Sequence, residues 1–349
     1  MSLIQEIWFT LLGLIIIIYT ILDGFDLGTA FWFFFAKDKK EDRVSDRKIL
    51  IQAIAPFWDG NEVWLLAAGG ILFAAFPDVY ATVFSTFYLP LVLVAFGLIL
   101  RAVSIEFRDE FDSLIWYRLN DISFVLGSMI PAILFGVLIG NLVQGIPLDS
   151  DHNFSGSLID LINPYALLIG LLSLTMIISH GAIYLRLRTT GDLTKKATNW
   201  AKMGLISYLI VATIALIISI VFHPQLLRNF EKSPILGFVP ILGFIVIIVT
   251  ILLVMKEKDP IITFITSSFS IFLSILGAGV AMYPTLVFAS NDSTRSLTIY
   301  NASSSELSLL VILIIAIIAL PLVLVYTAWV YKTLGGKLTF ADVKDSLYS

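Results

Sequence analysis

Two acidic clusters interrupt stretches of sequence that are otherwise almost wholly apolar. Asp23-Gly24-Phe25-Asp26 lies inside one long apolar run, and Trp58-Asp59-Gly60-Asn61-Glu62 lies inside the next. An aspartate at the centre of a membrane helix costs roughly 2.5–3.5 kcal/mol on insertion scales. Four carboxylates in two such runs therefore call for a reason beyond packing. A carboxyl in low dielectric can carry a proton while neutral, so Asp23, Asp26, Asp59 and Glu62 are candidates for a proton or ion path. The alternative is a buried acid–base network that fixes helix register, with Arg101 as the counter-charge.

The spacing supports a shared location. Asp23/Asp26 and Asp59/Glu62 are each i, i+3 pairs, so each occupies one side of its helix. Arg101 lies near the end of a third apolar run, and Glu106 just beyond it extends the set. His180 is the one histidine well inside an apolar run and reads as a satisfied packing residue. Trp58 and Trp64 read as packing or interface residues rather than electron carriers.

The elements that must position these groups are membrane spans. The chain has 349 residues, 58% of them hydrophobic and 14% charged, with a mean hydropathy of +0.94. A soluble domain of this length could not bury so much apolar surface, so lipid is its solvent. Segments of about 20 apolar residues are needed to cross a bilayer. Nine are expected, near 4–36, 51–76, 79–105, 119–144, 162–187, 202–222, 234–255, 260–289 and 307–332. The fold class is all-α, and residues 1–349 read as a single integral membrane domain. The apolar stretch after Met1 has no basic segment ahead of it and runs past signal-peptide length, so it reads as a retained first span. Pro131, Pro240, Pro284 and Pro321 fall within the expected spans, where kinks are tolerated.

Basic residues set the orientation. With the N-terminus outside and the C-terminus cytoplasmic, 19 of the 22 Lys and Arg residues face the cytoplasm. These include Lys37, Lys39, Lys40 and Arg43 after the first span, Arg186, Arg188, Lys195 and Lys196 after the fifth, and Lys337 and Lys344 at the end. Only Arg228, Lys232 and Arg295 fall outside. Helix rise then puts Asp26 about 15 Å, and Asp59 and Glu62 about 12–16 Å, from the cytoplasmic face. Trp8, Trp116, Tyr117, Trp200, Trp329 and Tyr331 fall at expected interfaces and read as membrane anchors. Gly24/Gly28 and Gly136/Gly140 have the GxxxG spacing of close helix contacts.

Several function classes are disfavoured. A formal charge of −4 leaves no electrostatic footprint for nucleic acid. The absence of cysteine excludes disulfides, iron–sulfur clusters and thiolate-bound metal. A haem needs an axial His, Met, Tyr or Cys, and no histidine pair spans two apolar runs. No cofactor or metal is expected on this chain. If it serves a redox machine, the cofactors belong to a partner.

A long set of motifs resembles subunit II of the cytochrome bd-type quinol oxidases. It comprises Asp23-Gly24-Phe25-Asp26-Leu27-Gly28, Pro56-Phe57-Trp58-Asp59-Gly60-Asn61-Glu62-Val63-Trp64-Leu65 and Leu72-Phe73-Ala74-Ala75-Phe76-Pro77. Phe87-Tyr88-Leu89-Pro90-Leu91, Arg101 ahead of Glu106-Phe107-Arg108, Asn163-Pro164-Tyr165-Ala166, His180-Gly181-Ala182 and Ser296-Leu297-Thr298-Ile299-Tyr300-Asn301-Ala302-Ser303 follow in the same order. The similarity covers roughly residues 22–332. One departure is Arg101-Ala102-Val103, where the family commonly has Arg-Gly-Val.

The resemblance implies two four-helix bundles with a peripheral ninth helix, in a bacterial cytoplasmic membrane. It implies a haem-free chain that stabilises a larger subunit I, on which b-type haems, haem d and the quinol site reside. Such a complex oxidises quinol and reduces oxygen to water, taking protons from the cytoplasm. The resemblance points to Asp59 foremost, with Asp23 and Asp26, as part of the proton route, and Glu62 as an addition. It leaves room for a small single-span subunit alongside quinone and lipids as partners, and for no nucleic acid. A proton-coupled transporter and a purely structural membrane scaffold are the competing classes.

Overall fold

The computed structural model describes residues 2–36, 46–111 and 113–339; Lys37, Lys39, Lys40, Arg43 and Lys344 lie outside the described residues. Helices dominate: α1 (Ser2–Phe33), α2 (Asp46–Ile54), α3 (Trp58–Ala75), α4 (Pro77–Thr86), α5 (Tyr88–Phe107) and α6 (Leu114–Gln144) form the first half. The second half contains α7 (Pro164–Arg188), α8 (Gly191–Phe222), the short α9 (Arg228–Lys232), α10 (Phe238–Met255), α11 (Pro260–Met282) and α12 (Glu306–Leu334). Strands β1 (Thr285–Val287) and β2 (Leu297–Thr298) pair antiparallel between α11 and α12.

Among the described residues, eight helices are long and apolar enough to cross a membrane: α1, α5, α6, α7, α8, α10 with the turn before it, α11 and α12. The chain is thus a multi-pass membrane protein. Nine continuous spans were expected, and the difference lies in the second and third. The run expected at 51–76 divides into α2 and α3 at Ala55-Pro56-Phe57. Pro56 has no N–H to donate and disfavours helical geometry at Ala55, so the helix stops and restarts. The restart gives α3 an N-terminal turn of Trp58-Asp59-Gly60-Asn61-Glu62, and these polar residues keep it out of the apolar set.

The run expected at 79–105 divides at Phe87, between α4 and α5. Pro90 explains the position: its ring crowds the carbonyl four residues back, on Thr86, where α4 ends. The eighth run was expected to reach 289, yet α11 ends at Met282, because the residue before a proline is pushed out of helical geometry. Tyr283 is accordingly extended, and Pro284 lies outside any helix, in contrast to Pro131 in α6 and Pro321 in α12.

The first helix is the hub, touching α3, α6, α7, α11 and α12. Its closest approach is to α7: a Cβ on Gly28 would fall 2.0 Å from the Ile177 carbonyl oxygen, and one on Gly181 only 2.4 Å from Gly28. Small residues here let two backbones meet, as the GxxxG spacing predicts. The largest apolar core surrounds Phe25, Ile54, Phe124, Ile183 and Leu205. A second, around Trp8, Phe76, Phe87, Val287 and Leu309, packs the end that carries the β-hairpin. Helix α12 buries only Leu309 fully and leaves a long apolar face open.

Of the aromatic residues expected as interface anchors, Trp8 and Trp200 are packed inside and Tyr331 is half-buried. Trp8 is 1% exposed and donates from Nε1 to the Leu309 carbonyl at 3.0 Å. Trp200 stacks on Trp32 with ring centroids 5.3 Å apart. Tyr331 stacks on Phe57 at 4.4 Å. Each finds a partner across a helix–helix contact, which the interfacial rule does not consider. Trp329 is open on α12, in keeping with the anchor reading.

Candidate intramembrane acid–base site

Helices α1, α3 and α5 bring one arginine to two carboxylates. Arg101 of α5 and Asp23 of α1 are both fully buried, and Arg101 Nη2 donates to Asp23 Oδ1 at 2.7 Å. The same nitrogen lies 2.8 Å from Glu62 Oε1 of α3, an ion contact without hydrogen-bond alignment. The guanidinium also sits 5.9 Å from the centroid of the Trp58 ring, a cation–π geometry. Glycines set this depth: a Cβ on Gly127 of α6 would lie 2.6 Å from the Arg101 nitrogen, so α5 and α6 can close only with glycine there. Residue 102 is Ala, and α5 runs through it without interruption.

One turn along α1, Asp26 forms no ion pair among the described residues. It is fully buried, and its Oδ2 accepts from Asn61 Nδ2 at 2.7 Å. Asn61 also donates to the Leu22 carbonyl at 3.3 Å, and its Oδ1 accepts from the Tyr331 hydroxyl of α12 at 2.8 Å. Asp26, Asn61 and Tyr331 thus link three helices through uncharged donors. Asn61 lies within the second acidic motif, but its residue type alone did not mark it as the connector. Tyr331 is 270 residues away in sequence, and only the folded contact identifies it.

The expected acidic set is only partly assembled. Asp23, Asp26 and Glu62 converge with Arg101 and Asn61, whereas Asp59 is exposed on α3 and has no ion pair or hydrogen bond among the described residues. Residues at i and i+3 still differ by about 60° around a helix. Because the break at Pro56 fixes where α3 begins, Asn61 points in, Glu62 sits at the edge and Asp59 points away. Glu106, expected to extend the set, is exposed beyond it.

Several buried polar atoms of α1, α3 and α5 lack hydrogen-bond partners among the described residues: Tyr19 Oη, Asp23 Oδ2, Asp26 Oδ1, Thr29 Oγ1, Trp64 Nε1, and Arg101 Nε and Nη1. Buried polar groups are paired in the great majority of cases, so their concentration on α1, α3 and α5 sets this region apart.

His180 is occupied at both nitrogens. Nε2 faces the Ile21 carbonyl at 3.1 Å, so it carries the proton, and Nδ1 accepts from the Ser267 hydroxyl at 2.9 Å. Phe264 stacks on the ring at 4.9 Å. The residue ties α7 to α1 and α11 and has no nitrogen left for a haem iron. Among the described residues, no group of three or more His, Asp and Glu side chains is placed to hold a metal.

Comparison with known proteins gives a consistent outcome. The family model described as "Cytochrome bd terminal oxidase subunit II" matches residues 4–334. The chain is 34% identical to "Cytochrome bd-I ubiquinol oxidase subunit 2" of Escherichia coli K12, covering 99% of this chain and 98% of that protein. It is also 34% identical to "Cytochrome bd ubiquinol oxidase subunit 2" of Bacillus subtilis, over 95% of this chain and 96% of the relative. Its fold matches a chain in the solved structure of bd oxidase from Geobacillus thermodenitrificans with a TM-score of 0.77, at 17% identity, covering 95% and 98% of the two chains. The family match over nearly the whole length, together with these relatives, establishes that the chain belongs to the cytochrome bd terminal oxidase subunit II family.

Proposed function

We propose that this chain is the haem-free subunit of a quinol-oxidising, oxygen-reducing complex, and that its intramembrane acids serve proton uptake for a partner subunit I. Family membership supports the oxidoreductase assembly, with b-type haems and haem d on the larger partner. The engagement of both His180 nitrogens supports placing iron chemistry there rather than here. In this reading residues 1–349 form one membrane domain of nine crossings. The α2–break–α3 segment supplies the ninth, and the helices group as two four-helix bundles with a peripheral helix. The excess of Lys and Arg on one side supports an outside N-terminus and a cytoplasmic C-terminus.

The observation that carries the proton reading is the uneven charge balance of the buried site. One guanidinium faces Asp23 and Glu62, while Asp26 has only the Asn61 amide. Three carboxyls share one cation in low dielectric, an arrangement suited to passing protons. Arg101 anchors Asp23 and Glu62. Asp26 Oδ1, buried and without a protein partner, is the atom at which a proton is taken and released. Internal water joining the unpaired atoms of Tyr19, Asp23, Asp26 and Thr29 completes a path. Asp59, exposed in the first turn of α3, is the contact through which the path continues at the boundary with the partner.

The test is Asp59→Asn in the assembled complex, followed by oxygen consumption from pH 6 to 8 (about two pH units centred on neutrality). Turnover falling tenfold or more with haem spectra intact is the expected outcome. Unchanged turnover across that range removes Asp59 from the path, and loss of haem assigns it to structure.

A further inference from the structure

A cavity of about 590 Å³ opens where the end of α7 meets the start of α8, beside the α10–α11 turn and the segment after α12. That volume lies within the roughly 300–1,000 Å³ of small-molecule sites. It is separate from the acid–base site, and neither the oxidase reading nor the proton reading uses it. Arg186, Lys195 and Lys337 contribute positive charge to its lining, against one acid, Glu257. Thr194 and Thr198 add hydroxyl groups.

Arg186 is the informative residue. It is 4% exposed, and its guanidinium is fixed by Nη1 donating to Thr263 Oγ1 at 3.0 Å and by Nη2 donating to the Lys258 carbonyl. Both partners are neutral, and among the described residues Arg186 forms no ion pair within 4.0 Å. Glu257 and Asp259 lie close enough to act on its charge, but neither contacts the guanidinium as an ion pair, and an anion entering the cavity would add a direct one. Lys337 likewise forms no ion pair among the described residues, while Lys195 is tied only to exposed Asp192.

The start of α8 adds to this field. Gly191 opens the 32-residue helix at φ +65°, and the cap residue Thr190 donates its hydroxyl to the Leu338 carbonyl at 3.3 Å instead of accepting from the first-turn amides. Those amides and the helix dipole favour an anion at this end.

We propose that this cavity binds a phosphate group, either as the headgroup phosphate of a membrane phospholipid or as free inorganic phosphate. Arg186 forms the fixed cationic floor, and Lys195 and Lys337 close over the anion from the rim.

The test uses the purified assembled complex, stripped of lipid by detergent exchange and followed by thermal melting. Inorganic phosphate, dihexanoyl phosphatidylglycerol and sodium chloride at matched ionic strength are titrated separately, with the double variant Lys195→Ala/Lys337→Ala in parallel. Both lysines are exposed and should leave folding intact. A saturable rise in melting temperature with phosphate or lipid, but not chloride, is expected, with affinity at least tenfold weaker in the variant. A rise with inorganic phosphate alone or with both assigns a site for free phosphate; a rise with lipid alone assigns a headgroup site. No saturable rise with either, or equal affinity in wild type and variant, overturns the proposal.

Discussion

The molecule contains two arginine–carboxylate networks that solve opposite problems. At the end of α5, Arg108 Nε donates to Asp121 Oδ1 at 2.7 Å while Arg47 Nη1 donates to Oδ2 at 2.9 Å, so both oxygens of one acid are satisfied by two cations. The three side chains remain 8–26% exposed, and Phe33 lies beneath both guanidinium groups. Inside the helix bundle, a single fully buried Arg101 serves Asp23 and Glu62 with one nitrogen, and its Nε and Nη1 are unpaired among the described residues. In the peripheral network both oxygens of the acid are paired with solvent near; in the inner one three carboxyls share one cation, and several of their buried atoms lack hydrogen-bond partners among the described residues. Under-satisfied buried polar groups are costly and persist where function maintains them. The contrast fits tethering for the first network and motivates the proton-handling proposal for the second.

The largest expected effect is at the shared cation. Arg101→Met leaves Asp23 and Glu62 without a counter-charge and should cost about 3–5 kcal/mol, read as reduced assembly and a lower melting temperature of the complex. Adding Asp23→Asn and Glu62→Gln should restore much of that loss; if it does not, the guanidinium acts through something other than charge pairing. Next in size is Tyr331→Phe, which leaves Asn61 Oδ1 buried without its donor. It should cost about 1–2 kcal/mol and reduce turnover by loosening the amide that holds Asp26. Stability lost with turnover unchanged would make that link a tether like the peripheral one. The smallest effect is at Asp121→Asn, about 0.5–1 kcal/mol, lessened by added salt, with turnover unaltered. A turnover loss there would erase the distinction between the two networks.

That acids lie among the packed helices is legible in the sequence, because a carboxylate in a membrane-length apolar run stands out by its cost alone, yet only three of the four expected converge. The pairing with Arg101 is legible in outline, since it is the arginine nearest that depth on the neighbouring run. The direction of Asp59 is not: Pro56 resets where α3 begins, and a shift of one residue turns a side chain by about 100°. Tyr331 is hidden for a different reason. An aromatic residue at the end of an apolar run fits the interfacial rule, and only the approach of α12 to α3 gives its hydroxyl a buried acceptor. Trp8 and Trp200 mislead in the same way, through contacts with Leu309 and Trp32. Nine apolar runs are visible, but the helix breaks before Pro90 and after Met282 depend on local proline sterics that hydropathy does not register.

The central claim is that Asp26 exchanges protons while Arg101 holds the acids beside it in place. Its most direct test is the rate of proton uptake from solution during a single round of oxygen reduction, followed with a pH-indicating dye in a complex carrying Asp26→Asn. The account predicts uptake slowed tenfold or more, with haem spectra and subunit content as in the wild type. Wild-type uptake in that variant would contradict it.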